Sequence, residues 1–484
     1  MSLLLLLLVP IIISMILLFL IVISAILPPQ YDIYGILKAG RSMAIALTDV
    51  LGSAILKIMD NFWIYFPLAL IGTWRWGVWI FKRMCAQLYT PVEPDSSLPS
   101  TDSTISIVTP VYNENPKMFK TALDSWYLNK PHEIIAVIDQ TDIACIETFK
   151  QFSQNKPSAR LIITPKPGKR PALADGILEA KSKIVALVDS DTIWAPDIKD
   201  RILAPFKDPT IGGVTMRNHP IECQSLWQKM TDIFWDMRNF YDLPAQIAMG
   251  RMLSCLSGRS SLYRREVILP MLDEFLNEIL LGIKKESGED KCLTRLIQRE
   301  GWRTYYQANA EAYSAASADF KTFWSQRLRW TRNSHNSDLV SLCEGWVWKH
   351  PFLAFYMVDR FIAMFTLFLG PIFLGIALYL NDWFLALSIV SLWLVGRGIK
   401  IIPHFKRKPE DILILPVYIG VTFLIALARL YAFVTIREQV WIRTEAKHSN
   451  RRETKKRVFE RIKDMILTTE IIGGLVILVA YTLR

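Results

Sequence analysis

Residues 183–191 read KIVALVDSD. An unbroken aliphatic run that ends abruptly in two carboxylates is the pattern of a strand buried on both faces at the point where it leaves a sheet. Asp189 and Asp191 are two residues apart, so both project to the same side. Working outward, related runs occur as TISIVTPVY at 104–112, EIIAVID at 133–139, ARLIITP at 159–165 and GGVT at 212–215, with amphipathic stretches between them. This alternation predicts an α/β domain with a mainly parallel sheet and helices on its faces. Polar residues gather where the runs end, as Tyr112-Asn113-Glu114, Asp139 and Asp189-Ser190-Asp191. That is the carboxyl edge at which open α/β sheets bind ligands, and a nucleotide-binding edge is expected there.

The chain of 484 residues is 51% hydrophobic and 21% charged, too apolar for an ordinary soluble enzyme and too charged to lie in lipid throughout. Residues 3–27 form an uncharged apolar run long enough to cross a hydrocarbon core of roughly 30 Å. The run has no basic flank and no small-residue cleavage site, so it reads as an anchor rather than a cleaved signal. A second span is expected over 62–81, ending in Lys82 and Arg83, which places residues 98–342 in the cytosol by the positive-inside rule. Cysteines in that stretch show no paired spacing, and neither disulfides nor a zinc site is expected. Apolar segments resume at 352–380, 384–395, 412–434 and 465–483. Lys406, Arg407 and Lys408 put the loop at 404–411 on the cytosolic side. The segment at 412–434 carries Pro416 and Arg429 and reads as interfacial or re-entrant. The expected domains are an N-terminal membrane region (1–97), a cytosolic domain with interfacial helices (98–342) and a C-terminal membrane region (343–484). The net charge of +11 does not indicate nucleic-acid binding, because the densest basic stretch, 443–463, is interleaved with Glu445, Glu453 and Glu460 between apolar segments.

The paired carboxylates Asp189 and Asp191 can hold Mg²⁺ or Mn²⁺ against the two phosphates of a nucleotide sugar, although short acidic pairs also occur as solvated turns. Downstream, Ser287-Gly288-Glu289-Asp290 opens a helix-like run, where the carboxylates either cap the helix or supply a general base at Asp290. Gln326-Arg327-Leu328-Arg329-Trp330 places an amide, a guanidinium and an indole at helical spacing, suited to gripping phosphate and stacking on a sugar. The same helix also reads as a basic amphipathic element at a membrane surface.

Together these motifs resemble the processive family-2 glycosyltransferases of the hyaluronan, chitin and cellulose synthase type, most of all the hyaluronan synthases. The resemblance rests on Val111-Tyr112-Asn113-Glu114, Val137-Ile138-Asp139, Gly168-Lys169-Arg170, Asp189-Ser190-Asp191, Ser254-Cys255-Leu256-Ser257-Gly258, Gly288-Glu289-Asp290 and Gln326 to Trp330, in the family's order. It implies a GT-A-type nucleotide-sugar-binding domain between membrane helices. It further implies Tyr112, Glu114 and Asp139 at the nucleotide, and Lys169, Arg170, Gln326 and Arg329 at the donor and its diphosphate. By the same resemblance Asp191 with Asp189 would hold the metal, Asp189 would also touch the donor, and Asp290 would be the base. Ser257, Gly258, Glu289 and Trp330 would line the acceptor site. Residues 436–463, with Trp441 and Arg443 on the donor, are similar to the family's gating loop, which would close over the donor and exclude water.

Departures are equally specific. Arg259 stands where hyaluronan synthases carry Pro after Ser-Gly, Glu289 makes GED of their GDD, and no Gly follows Trp441. The resemblance implies a single inverting displacement from a nucleotide sugar, with UDP-sugar as the expected donor. The product would be a β-linked polysaccharide, extruded across the bilayer between the membrane helices. Trp74, Trp76 and Trp79, with Arg75, either line that path or form an interfacial aromatic belt. A transferase acting on a polyprenyl phosphate or lipid-linked glycan has the same cytosolic motifs. A non-enzymatic transporter or receptor has no need of Asp290. The sugar, the linkage and the oligomeric state are not legible in the sequence.

Overall fold

The computed structural model describes residues 62–94, 104–280, 282–437 and 470. The expected span at 3–27, the expected span at 465–483 apart from residue 470, and Trp441 and Arg443 of the expected gating loop lie outside the described residues. The chain divides into two compact units, one of residues 79–368 and 391–472, the other of residues 1–78, 369–390 and 473–484. All that follows on the sheet and the site concerns the first.

In chain order the main elements are α1 (Phe62–Gln87), β1 (Ile105–Val111), α2 (Pro116–Leu128), β2 (Glu133–Asp139), α3 (Ile143–Ser153), β3 (Ala159–Thr164), α4 (Lys169–Glu179), β4 (Ile184–Val188), β5 (Thr192–Trp194) and β6 (Ile211–Pro220). They continue as α5 (Leu226–Met237), β7 (Ser260–Arg264), α6 (Glu289–Arg299), β8 (Arg303–Ser314), α7 (Phe320–Glu344), α8 (Pro351–Tyr379), α9 (Trp383–Lys400) and α10 (Leu415–Val434). One eight-stranded sheet has the order β3-β2-β1-β4-β7-β6-β8-β5. The first four strands are parallel, with Val108 opposite Ile135 on one side and Leu187 on the other. Strand β7 is antiparallel to both β4 and β6, which makes the sheet mixed, a GT-A-like arrangement.

The parallel strands form because their residues are apolar on both faces; Ile105, Ile107, Val108, Ile135, Val137 and Val185 have no exposed surface. Helix α2 covers one face with Phe119, Ala122, Leu123 and Trp126, at the spacing of a single helical stripe, and starts where the Asn115 side chain accepts from the Lys117 and Met118 amides. Helix α4 lies so close to β1 that a Cβ on Gly176 would collide with Val108 Cγ1. The chain order reverses direction between β1 and β4, and this switch point opens the crevice in which the site lies.

Three helices among the described residues, Pro351–Tyr379, Trp383–Lys400 and Pro409–Val434, are long and apolar enough to cross a membrane. Helix α1 forms over the second expected span but is not among them; its tryptophans, Arg75 and Gly72 make it less apolar than a lipid-spanning run. Helix α10 packs through Tyr418, Val421 and Ile425 against Met230 and Ile233 of α5 and Phe323 of α7. The basic loop before α10 bonds back to α5: Arg407 donates to Asp232 at 2.6 Å and to Asp236 at 2.7 Å, and Lys408 pairs with Asp232 at 2.9 Å. His404 lies between Asp236 at 2.7 Å and Asp411 at 3.1 Å. The loop and the catalytic sheet are thus held together through α5.

Candidate active site

Each parallel strand delivers its last residues to one edge. Beyond β1, Asn113 turns the chain with a φ of 51°, and the Glu114 carboxylate accepts from Ser190 Oγ at 3.0 Å. At the end of β2, Asp139 accepts from the amide and hydroxyl of Thr141 at 2.9 and 2.6 Å, a turn that fixes the carboxylate at the rim. Gly168, at a φ of +108°, lets the chain enter α4, whose first residue is Lys169. A cation at a helix N-terminus opposes the macrodipole and needs anionic partners. Lys169 has two, Asp189 at 2.7 Å and Glu289. Burial alone disfavours the ammonium, but the two carboxylates outweigh it and hold its pKa above the usual lysine range. Burial likewise works against the Glu289 carboxylate, and Lys169 overrides it and keeps the group below its usual range.

Antiparallel β7 brings a second loop to the same place. The Asp189 amide donates to the Arg259 carbonyl at 2.9 Å, and Ser257-Gly258 then faces the start of α6. Gly288 begins α6 in the left-handed region at a φ of +81°, and a Cβ there would stand 2.9 Å from Asn333 Cγ of α7. With α6 so placed, Asp290 Oδ2 accepts from the Gly258 amide at 3.3 Å and from Cys255 Sγ at 3.4 Å. Arg170 reinforces the loop, donating to the Phe275 carbonyl at 2.8 Å, Glu278 at 2.7 Å and the Ser287 carbonyl at 3.0 Å. Its guanidinium is committed to Phe275, Glu278 and Ser287.

Helix α7 closes the opposite wall. Gln326 accepts from Ser317 Oγ at 3.3 Å, and Arg329 and Trp330 line the cavity. The Trp330 ring carries two guanidinium neighbours, Arg259 at 4.9 Å and Arg327 at 5.4 Å. Trp235 of α5 lies against Arg259 at 4.0 Å. Sequence reading did not single out Trp235 or Arg238; the apolar periodicity of α5 hides Trp235, Arg238 follows the helix with no motif around it, and only their placement against Arg259 and the Cys255 carbonyl distinguishes them.

The result is one cavity of about 1700 Å³. It is lined by Tyr112, Glu114, Asp139, Lys169, Arg170, Asp189, Asp191, Ser257, Gly258, Glu289, Asp290, Gln326, Arg329 and Trp330 together, and so by every expected site residue among those described. It continues to Tyr356 and Arg360 of α8 and Thr422 and Arg429 of α10. Trp79 does not share in this lining; it packs edge-on against Tyr241 at 5.9 Å.

The donor set suits a hard divalent cation. Burial, with the Asp189 and Glu114 carboxylates nearby, pushes the Asp191 carboxyl up to about 7, the behaviour of an acid short of positive charge. Asp189 and Asp191 fit Mg²⁺ or Mn²⁺, which take one or two carboxylates and complete their shell with substrate phosphates and water. A second acidic group, His219 with Asp232 and Asp236, has its ligand atoms within 4.8 Å of one another, but both carboxylates are already engaged by Arg407 and Asp232 also by Lys408.

With the GT-A-like sheet and a carboxylate pair at its switch point, the matches to known proteins mark the chain as a glycosyltransferase. Residues 103–333 match the family described as "Glycosyltransferase like family 2". A type 2 glycosyltransferase of Pyricularia oryzae is 27% identical over 377 residues, covering 72% of this chain and 76% of that protein. A hyaluronan synthase of Streptococcus pyogenes is 26% identical over 404 residues, covering 78% of this chain and 93% of its own. The fold is shared with the mannosyltransferase PcManGT from Pyrobaculum calidifontis in complex with GDP-Man and Mn²⁺, at a TM-score of 0.52 and 17% identity over 75% of this chain and 99% of that one.

Proposed function

We propose that this glycosyltransferase is a membrane-embedded, metal-dependent, processive enzyme that polymerises a UDP-sugar into a β-linked polysaccharide and passes the polymer outward between its membrane helices. The observation that carries the reading is the continuity of the cavity, from Asp139 and Asp191 at the sheet edge, past Asp290 and Trp330, to Arg360 and Arg429 on apolar helices. An enzyme that releases a small soluble product has no use for a site that runs into its membrane region. The hyaluronan synthase relative supports the same class, and the PcManGT complex supports a nucleotide sugar and Mn²⁺ as ligands. The hydrogen bonds of Arg407 to α5 support a catalytic domain on the side of its basic loop, the cytosol by charge asymmetry.

Tyr112, Glu114 and Asp139 hold the nucleotide. Asp189 and Asp191 hold Mg²⁺ or Mn²⁺, which when bound neutralises charge on the diphosphate. Lys169 and Arg329 steady the diphosphate as negative charge builds on it, and Gln326 orients that side of the pocket. Asp290, aimed by the Gly258 amide, takes the proton from the acceptor hydroxyl. The freed oxygen forms its bond to the anomeric carbon while the bond to the diphosphate oxygen breaks, which inverts the centre and gives the β-linkage. Ser257, Gly258, Glu289 and Trp330 surround the acceptor, and Arg170 acts by positioning the loop that presents Asp290.

The test incubates the full chain in detergent with Mn²⁺ or Mg²⁺ and a panel of UDP- and GDP-sugars, singly and in pairs, reading nucleotide release and product size. High-molecular-weight product from one donor or one pair is expected. Nucleotide release with only short products, or activity that requires an added polyprenyl phosphate, would overturn the polymerase reading.

A further inference from the structure

Asp290 is held by two pieces of chain. Its own turn supplies the Lys291 amide, which donates to Oδ1 at 2.8 Å, and the loop at 254–258 supplies the Gly258 amide and the Cys255 thiol to Oδ2. The aim of the carboxylate therefore depends on how these two pieces sit against each other. The Lys291 side chain joins them, its ammonium donating to the Ser254 carbonyl at 2.7 Å. Thr294, one turn further along α6, makes a second tie: its hydroxyl accepts from the Leu256 amide at 3.0 Å and donates to the Asp290 carbonyl at 2.6 Å.

What holds Lys291 comes from elsewhere in the chain. Its ammonium also donates to Asp338 Oδ1 of α7 at 3.2 Å, and Arg360 Nη1 of α8 pairs with Asp338 Oδ2 at 2.8 Å. Asp338 is wholly buried, whereas Lys291 and Arg360 both line the cavity. One carboxylate thus serves two cations from two helices. Burial pushes the Lys291 ammonium below the usual lysine range, and Asp338 is the charge that works most against it. A buried triad of cation, anion and cation adds little stability over well-packed apolar side chains, because desolvation offsets most of the attraction. What it supplies and apolar packing does not is direction, since charge-assisted hydrogen bonds fix where each group points.

We propose that Asp338 is a positioning residue for sugar transfer: by holding Lys291 against the Ser254 carbonyl, it sets the aim of the Asp290 carboxylate at the acceptor hydroxyl. This rests on the reading of Asp290 as the base. Asp338 does not line the cavity and acts through Lys291. Through Arg360 the same carboxylate ties α8, one of the helices apolar enough to cross a membrane, to the turn that carries the base.

The experiment compares wild type, Asp338→Asn, Lys291→Met, the double variant and Asp290→Asn, each as the full chain in detergent with Mn²⁺ and the nucleotide sugars of the donor panel. Transfer kcat and donor KM are read well below every Tm, with UDP affinity and Tm measured on the same preparations. Asp338→Asn is expected to lower kcat about 10- to 100-fold, the scale of a small misplacement of a reacting group, with donor KM and UDP affinity within about twofold of wild type. The double variant removes one charge of each sign and leaves Arg360 an Asn oxygen to bond. It should regain most of the lost Tm yet keep the low kcat of Lys291→Met, an outcome that a purely structural role does not give, and it decides the matter if Asp338→Asn fails to fold. A kcat within about twofold of wild type in Asp338→Asn or in the double variant, loss of UDP binding in step with kcat, or single-variant effects that multiply in the double would overturn the proposal. Asp290→Asn separates the failures: wild-type transfer there removes the base assignment itself, whereas an inactive Asp290→Asn beside a normal Asp338→Asn removes only the role of Asp338.

Discussion

Replacing Lys169 with Met tests the electrostatics of the site. Lys169 lies between Asp189 at 2.7 Å and Glu289, with 16% of its side chain exposed. At an effective dielectric of about 20, a single unit-charge contact at that distance amounts to roughly 6 kcal/mol of attraction. Desolvation offsets part of this, and removing one member of such a buried pair costs about 3–5 kcal/mol, because the carboxylates left behind lose their nearest counter-charge. For a domain of this size that corresponds to a fall in Tm of roughly 6–20 °C. The assay is thermal unfolding of purified protein in detergent and chelator, for wild type, Lys169→Met, Glu289→Gln and the double variant. The double variant should recover part of the loss, giving a coupling energy above about 1 kcal/mol. A Lys169→Met protein that melts within about 1 °C of wild type, or strict additivity of the two changes, would refute the reasoning.

Gly288→Ala should forfeit left-handed freedom, about 1–2 kcal/mol, and press a methyl against Asn333, about 1–3 kcal/mol more. Because Asp290 is carried on the same turn, sugar transfer should fall by about 100-fold, read as initial rate against Tm; an unchanged rate would detach Asp290 from that turn. Arg407→Met should leave Asp232 and Asp236 short of a partner and cost about 1–3 kcal/mol. That is less than a fully buried pair costs, because Arg407 is 32% exposed and Lys408 remains on Asp232. Limited proteolysis near the 404–411 loop would report the loosening, and wild-type resistance would contradict it.

The parallel half of the sheet was legible because β1, β2 and β4 are buried on both faces and therefore read as continuous apolar runs. Their polar termini, and the helix beginning at Glu289, followed from the same logic. The strands that complete the sheet were not legible: β5 has only three residues, β7 reads SSLYR, and β8 reads RTYYQANAEAYS, rich in Ala and Asn. What makes them strands is pairing with β4, β6 and one another, a tertiary effect. Asp232 and Asp236 look in the sequence like the wet side of an amphipathic helix, yet both are wholly buried against Arg407 from a loop far along the chain. The contact between Arg259 and Trp235 crosses from the turn before β7 to a helix and has no local signature. Arg259 itself stood out only because it breaks a recognisable pattern.

The central claim is that Asp290 removes the acceptor proton within a nucleotide-sugar site built around Asp189 and Asp191. Its most direct test compares wild type with Asp290→Asn, measuring sugar transfer and equilibrium binding of UDP with Mn²⁺ on the same preparations. Transfer reduced by about 10²- to 10⁴-fold, with nucleotide affinity essentially unchanged, is the predicted result. Transfer at the wild-type rate in Asp290→Asn would contradict the account.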